Sequence, residues 1–166
     1  MANIQSITLR YSEIEDRLQL DCLSSQQETF KIWLTKRFAD RLIAVVADKV
    51  SERLSLQGHE AARAHKIQQE LTKFTLSQND RKAVSLQSDS PSWLCNTLKI
   101  GTTESSMVLS FLGTNNETAT LNLQQSETRS LLEIVRKNYI AAQWALDVFP
   151  NWMEDAAPKE DTYFMN

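Results

Sequence analysis

The feature that most constrains the fold of this chain is a line of sequence that occurs twice, at a shift of 89 residues. TLRYSEIEDRLQLDCLSSQQETFKIWL begins at Thr8, and TLKIGTTESSMVLSFLGTNNETATLNL begins at Thr97. When residues 7–50 are aligned with residues 96–139 without gaps, ten of the 44 pairs are identical. The identical pairs are Thr8/Thr97, Leu9/Leu98, Glu15/Glu104, Leu20/Leu109, Leu23/Leu112, Glu28/Glu117, Thr29/Thr118, Leu34/Leu123, Leu42/Leu131 and Val46/Val135. Composition alone gives about three identities at one offset, so we interpret the segments as copies of a unit of about 45 residues.

Each copy contains three runs in which apolar and polar residues alternate, as they do in a half-buried β-strand. In the first copy the apolar positions are Ile7, Leu9 and Tyr11, then Leu18, Leu20 and Cys22, then Phe30, Ile32 and Leu34. In the second copy they are Leu98 and Ile100, then Met107, Leu109 and Phe111, then Ala119, Leu121 and Leu123. The turns between the runs are short, and GTNNE contains Gly and Asn, which tolerate positive φ. Such short turns predict adjacent antiparallel strands.

A helix is predicted after the third strand of each copy. In the first copy Thr35 is the expected N-cap, and the apolar face comprises Phe38, Leu42, Val45, Val46 and Val50. In the second copy Ser126 is the expected N-cap, and Glu127 is favourably placed in the first turn. That helix is expected to continue through Leu131, Leu132, Val135, Ala142 and Leu146 toward Pro150. Each unit is therefore predicted to be β-β-β-α.

The segment between the copies has a helical pattern of its own. Ala64, Ile67, Leu71 and Phe74 follow one another at alternating steps of three and four residues, which predicts an amphipathic helix. RKAVSLQ is a candidate strand, and SDSPSW is a loop that leads into the second copy.

The predicted fold class is α+β, with internally duplicated β-β-β-α units, antiparallel sheets packed with helices, and a helical insert between the copies. The expected divisions are a first unit at 1–56, a connector helix, possible strand and loop at 57–91, a second unit at 92–149, and an acidic C-terminal tail at 150–166. A three-stranded sheet with one apolar face is marginally stable alone. We therefore expect the two units to pack into one compact domain.

Composition argues against some classes of function, although it leaves room for a local basic patch. The net charge is −3, whereas dedicated nucleic-acid binders usually carry a basic excess. The first residues, MANIQSITLRYSEIED, lack the basic start and apolar run of a secretory signal. The longest apolar stretch, LIAVVA from Leu42, is too short to span a bilayer. Cys22 and Cys95 match no metal-binding or redox spacing and are expected to be buried, reduced thiols of a cytoplasmic protein.

No catalytic or metal-binding motif stands out. HEAARAH resembles a zinc-protease helix, but His59 and His65 are six residues apart, which is about 600° around a helix. Zinc proteases need two histidines one turn apart, so we expect solvated histidines, with no metal and no cofactor. SSQQET and GTNNET each contain Glu and Thr without a recognisable acid–base pair. An enzyme with a site between the two copies is a second alternative.

The copies differ most at one predicted sheet surface. Lys31 and Trp33 lie on the strand face opposite Phe30, and the second copy has Thr120 and Asn122 at the two equivalent positions. The same face of the first strand carries Arg10. A Trp there has three interpretations: core covered by the connector helix, an anchor for a partner protein or a homodimer, or a platform for a nucleotide base.

Cations also occupy the start of the first predicted helix. Lys36 and Arg37 fall in its first turn and Arg41 follows one turn later, where positive charge opposes the helix dipole. A tolerated surface mismatch is one explanation. The alternative is that these residues meet an anion: a phosphate, an acidic partner, or the acidic tail of the chain itself. The acidic tail residues are Glu154, Asp155, Glu160 and Asp161.

The predicted order of elements is three strands, a helical pair, more strands and a terminal helix. That order resembles the globular head of eukaryotic end-joining scaffold proteins, which are non-enzymatic and dimerise. The resemblance is one of topology, rests on no diagnostic residues, and transfers no residue roles.

The leading hypothesis is a cytoplasmic, non-enzymatic protein–protein interaction module that is an adaptor or a homodimer without membrane association. Its expected contact residues are Trp33, Arg10, Lys31, Lys36, Arg37 and Arg41. The alternative is a nucleic-acid-binding accessory protein that uses the same basic-aromatic surface.

Overall fold

The computed structural model describes residues 1–54 and 57–155 of the chain. The fold is α+β, as predicted, with one curled mixed sheet and helices packed against it. The strands are β1 (Ala2–Ser12), β2 (Arg17–Ser24), β3 (Thr29–Leu34), β4 (Ser92–Leu94), β5 (Thr97–Thr102), β6 (Ser106–Leu112) and β7 (Thr118–Gln124). The helices are α1 (Lys36–Glu52), α2 (Gly58–Gln78) and α3 (Gln125–Ala141), followed by a 3₁₀ turn at Asn151–Met153.

The strand order in the sheet is β4-β3-β2-β1-β7-β6-β5. The hairpin neighbours are antiparallel, whereas β1 pairs with β7, and β3 with β4, in parallel. Only Cys95 and Asn96 separate β4 from β5, although these strands lie at opposite ends of the strand order. The sheet must therefore curl until its two ends lie side by side.

Apart from the end of the last helix, the predicted strands and helices of the two halves form where the alternation and helical spacing place them. At the shift of 89 residues, α1 (Lys36–Glu52) coincides with α3 (Gln125–Ala141) at both ends. Gln27 and Asn116, which are also 89 residues apart, both have left-handed φ, at 64° and 65°. Thr35 caps α1 as predicted, since its side chain accepts a hydrogen bond from the Phe38 N–H. In the second half the N-cap is Gln124 instead of Ser126, because Glu127 accepts a hydrogen bond from the Gln124 N–H.

The apolar faces of both halves meet in one core. Leu20 of β2 and Leu109 of β6 are both buried in it, together with Ile43 of α1 and Leu132 of α3. Tyr139 of α3 is fully buried in the same cluster. The helices α1 and α3 therefore cover the inner face of the sheet.

The structure also contradicts the predicted strand at RKAVSLQ and the predicted length of the last helix. Residues 81–87, RKAVSLQ, form no strand and belong to an extended segment, 79–91, that we call the strap. The strap is fixed to the outer face of the sheet, since the Val84 N–H donates to the Thr8 hydroxyl at 2.8 Å. The last predicted helix also ends early, at Ala141, because Gln143 has left-handed φ and turns Trp144 back onto Tyr139.

Both cysteines are buried free thiols, as predicted. Burial raises the pKa of the Cys22 thiol, and it raises the pKa of Cys95 to about 11. Across residues 1–54 and 57–155, no helix combines the length and the hydrophobicity that crossing a bilayer requires.

Candidate functional site

The structure brings together half of the predicted contact residues. Arg10, Lys31 and Trp33 lie on neighbouring strands and share the outer face of the sheet, because Arg10 pairs with Gln19 and Gln19 pairs with Trp33 across the strands. Trp33 is half-buried, and its indole N–H donates to the Ser92 hydroxyl at 2.8 Å. The Lys31 ammonium lies 5.0 Å from the centre of the Trp33 ring. The helix α2 does not cover Trp33, since it packs against α3 and the 3₁₀ turn.

The positive charge of Arg10 is paired with a carboxylate of the same chain. Its guanidinium pairs with the carboxylate of Asp21, which is fully buried. The Gln19 side chain donates to the other carboxylate oxygen of Asp21 at 2.7 Å. A buried carboxylate with two such partners is a structural ion pair, so this surface has less free positive charge than its sequence suggests.

The other three predicted contact residues lie elsewhere. Lys36 pairs with Asp40 at 2.9 Å and lies 5.8 Å from the centre of the Tyr139 ring, on the helical side of the sheet. Arg37 and Arg41 are exposed on the solvent face of α1. Because α1 covers the inner face of the sheet, these cations and Trp33 do not form one patch.

One of the alternatives for the cations of α1, pairing with the acidic tail, does not hold for Asp155. Asp155 forms ion pairs with Lys73 of α2 and Arg136 of α3, both at 2.9 Å. These contacts replace the pairing with Lys36, Arg37 and Arg41 that the sequence suggested for this residue. Glu160 and Asp161 lie outside the described residues.

Three exposed apolar side chains lie together on α2. Ile67, Leu71 and Phe74 are 53%, 62% and 65% exposed, and we call these three residues the apolar stripe. Their spacing of four and three residues places them on one face of the helix. The predicted amphipathic helix is therefore present, but its apolar side faces solvent.

The opposite side of α2 is polar and buried. His65 and Gln69 are buried against Arg129 and Glu133 of α3. The Gln69 amide donates to Glu133 at 3.0 Å, and Arg129 contacts the His65 Nδ1 atom at 2.8 Å. Trp152 of the 3₁₀ turn stacks on the His65 ring, with 5.1 Å between the ring centres. We call these five residues the polar cluster, and it fixes which face of α2 points outward.

The prediction that both histidines are solvated is wrong for His65. The spacing of the apolar residues predicts the helix α2, but it does not indicate which side of that helix is buried. The partners of His65 and Gln69 come from α3 and the 3₁₀ turn, some 60 or more residues away. A polar pair opposite an apolar stripe is the only local signal for this arrangement.

We expect the polar cluster to make stability depend on pH. Burial lowers the pKa of His65, the Arg129 charge lowers it further, and a hydrogen bond to the Ser51 backbone opposes both effects. The unfolded chain therefore binds more protons at this residue than the folded chain does. The free energy of unfolding should not depend on His65 above about pH 6.5, and it should fall as the pH drops below that value, by at most about 1.4 kcal/mol per pH unit. Urea unfolding at pH 7.5 and pH 5.5 measures this loss.

The control for this measurement is His65→Gln, which removes the titrating ring. The variant should lose little stability between the two pH values, even if it is less stable at both. Asp155, whose pKa is lowered by hydrogen bonds from Lys73 and Arg136, affects stability only below about pH 4. An equal pH-dependent loss in the wild type and in His65→Gln contradicts the assignment.

The repeated turns meet at the open end of the curled sheet. They frame a cavity of about 560 Å³ that is lined by Glu28 and Thr29 of one half and by Glu117 and Thr118 of the other. Trp93 forms part of its wall. Hydrogen bonds from the backbone N–H groups of Glu117 and Asn115 lower the pKa of the Glu117 carboxyl. Because the lining contains no His, Cys or Lys, it offers no pair of a nucleophile and a histidine base.

Within the described part of the chain, no group of three or more His, Cys, Asp or Glu side chains is placed to hold a metal ion. The arrangement as a whole offers surfaces for contact: an apolar stripe on α2 and a half-exposed Trp33 beside Lys31. Comparison with known proteins found no matching family model, no matching curated protein and no matching solved structure.

Proposed function

We propose that this protein is a cytoplasmic, non-enzymatic protein–protein interaction module, and that the apolar stripe of α2 is its main contact surface. The observation that carries the proposal is that more than half of the surface of Ile67, Leu71 and Phe74 is exposed to solvent. Anchors at positions i, i+4 and i+7 of a helix are the pattern with which amphipathic helices bind an apolar surface. Burying such side chains contributes about 25 cal/mol per Å² of apolar area.

The polar cluster supports this proposal because it keeps the stripe outside. Turning α2 over to bury Leu71 would expose His65 and Gln69 and would separate Gln69 from Glu133 and Arg129. A buried polar group that loses its partner costs about 1–3 kcal/mol. The fold therefore keeps the apolar stripe exposed to solvent. A partner that buries this apolar area would gain binding free energy.

We favour a second copy of the chain as the partner. The spacing of Ala64, Ile67, Leu71 and Phe74 is that of a coiled-coil seam, which is self-complementary in an antiparallel pair. In one register Ile67 lies beside Leu71 of the second copy, and Ala64 lies beside its Phe74. Glu70, at the edge of the seam, lies 3.2 Å from the Lys73 ammonium, which it shares with Asp155, and this pairing reduces repulsion between the copies.

Size-exclusion chromatography with light-scattering detection, which measures the molar mass in solution, tests the proposal. The wild type is expected at twice the 19.0 kDa mass of one chain, and Leu71→Glu/Phe74→Glu is expected at the mass of one chain. Ala62→Glu places a glutamate at an exposed position on another side of α2, so it should stay dimeric. Circular dichroism confirms that each variant is folded.

Two outcomes contradict the dimer. A wild type that stays at the mass of one chain at all concentrations rejects the second copy as partner. A wild-type dimer that survives Leu71→Glu/Phe74→Glu places the interface elsewhere, and Trp33→Ala then tests the sheet surface of Arg10, Lys31 and Trp33.

The internal duplication belongs to the same proposal. The matching bounds of α1 and α3, and the left-handed residues Gln27 and Asn116 in equivalent turns, support descent of the halves from one unit. On this view α2 is the element inserted between the copies. Within residues 1–54 and 57–155, neither half covers its stripe.

The alternative, a nucleic-acid-binding accessory protein, has weaker support. Arg10 is neutralised by Asp21, and Lys31 already occupies a position over the Trp33 ring where a base would stack. Binding of a generic single strand that weakens steeply between 50 and 200 mM salt would favour this alternative.

A further inference from the structure

A gap in the sheet separates β1 from β7. The two strands pair only from Ala2↔Ala119 to Ile4↔Leu121. The register of β1 against β2 shifts between Ile4 and Ser6, which marks a β-bulge. A bulge bends its strand, so β1 turns away from β7 at the point where their pairing ends.

The gap forms a cavity of about 320 Å³. The helix α3 closes one side of it, and the start of the strap crosses the other. The strap is held there by the hydrogen bond from the Val84 N–H to Thr8, and Val84 itself is buried. The cavity is therefore bounded by fixed elements, as ligand pockets usually are.

The floor and the rim of the cavity differ in chemistry. Apolar side chains from three elements form the floor, among them Ile7, Leu9 and Ile134, which are only half-buried. Arg81 and Lys82 of the strap stand at the rim, and both are exposed. Neither forms an ion pair with any residue that the structure describes. The Glu127 carboxylate also lines the cavity, and one of its oxygens accepts the hydrogen bond from the Gln124 N–H at 2.8 Å. The two cations at the rim therefore exceed the one carboxylate by one positive charge.

We propose that this cavity binds a small amphipathic anion, with an apolar body against Ile7, Leu9 and Ile134 and a carboxylate at Arg81 and Lys82. Arginine offers a planar fork that matches a carboxylate, and lysine adds a second charge. None of the three residues of the apolar stripe lines this cavity, so this proposal does not depend on the proposed dimer.

Isothermal titration of the full chain with decanoate tests the proposal. Wild type should bind one decanoate per chain and should bind decylamine, which has the same body and the opposite charge, at least about 10-fold more weakly. Acetate, the head group alone, should not bind detectably. Equal affinity for decanoate and decylamine would overturn the proposal, as would the absence of decanoate binding.

Two variants locate the site. Arg81→Ser/Lys82→Ser removes the rim charges and should weaken decanoate binding at least about 10-fold. Ser130→Phe fills the cavity from α3 and should abolish binding. Lys99→Ser/Lys137→Ser removes the same charge from exposed positions away from the cavity and should bind as the wild type does. Unchanged binding by the first variant, with circular dichroism matching the wild type, rejects the assignment.

Discussion

Replacing Tyr139 with alanine is expected to lower the free energy of unfolding by about 3–5 kcal/mol. The ring is fully buried and meets Trp144 and Phe149 edge-on, with ring centres 5.0 and 5.2 Å away. Its hydroxyl donates to Asp40 at 2.7 Å. The substitution removes the contact by which the chain beyond α3 packs back onto the core. Urea denaturation at one fixed protein concentration measures the loss.

Two further variants separate the contributions at this position. Tyr139→Phe keeps the ring contacts and should cost only about 1 kcal/mol, because Asp40 keeps its ion pair with Lys36. Ile140→Ala is the matched control, since the neighbouring Ile140 is 50% exposed and should cost less than about 1 kcal/mol. If Tyr139→Ala costs no more than Ile140→Ala, then α3 and the segment after it do not pack as described.

On α2, replacing a glutamine is expected to destabilise the protein more than replacing a leucine. Gln69→Ala should cost about 2–3 kcal/mol, because it leaves the buried Glu133 carboxylate without its hydrogen-bond donor. Leu71→Ala should cost within about 0.5 kcal/mol, because Leu71 is 62% exposed. This order is the reverse of the usual one for helices on a core.

Both variants should be compared as monomers, so each is made in a Phe74→Glu background that opposes association through the apolar stripe. Urea denaturation gives the two differences in the free energy of unfolding. The orientation of α2 is wrong if Leu71→Ala costs more than Gln69→Ala. That result would also remove the basis of the proposed interaction surface.

Much of the sheet could be predicted from local patterns. The alternation of Leu18, Leu20 and Cys22, and its repetition at Met107, Leu109 and Phe111, predicted strands that the structure contains. Strand direction followed from the short turns. The order of strands did not, because nothing in either copy specifies that β1 pairs in parallel with β7.

The candidate site was predicted only in part. Arg10, Lys31 and Trp33 share a face because residues two apart on a strand point to the same side and because short hairpins fix the register. Lys36 was grouped with them by its closeness in sequence. A helix begins there and leads back over the other face of the sheet, where Lys36 meets Asp40 and Tyr139.

The sequence by itself determined where strands and helices form, because period-two alternation, helical spacing and the Thr35 cap act over a few residues. Only the tertiary structure decided that α2 presents Leu71 to solvent and buries His65 and Gln69. The physical reason is that a buried polar side chain is stable only when its hydrogen bonds are satisfied. The groups that satisfy them, Arg129 and Glu133, lie on α3, more than 60 residues farther along the chain, and only the tertiary structure brings them to α2.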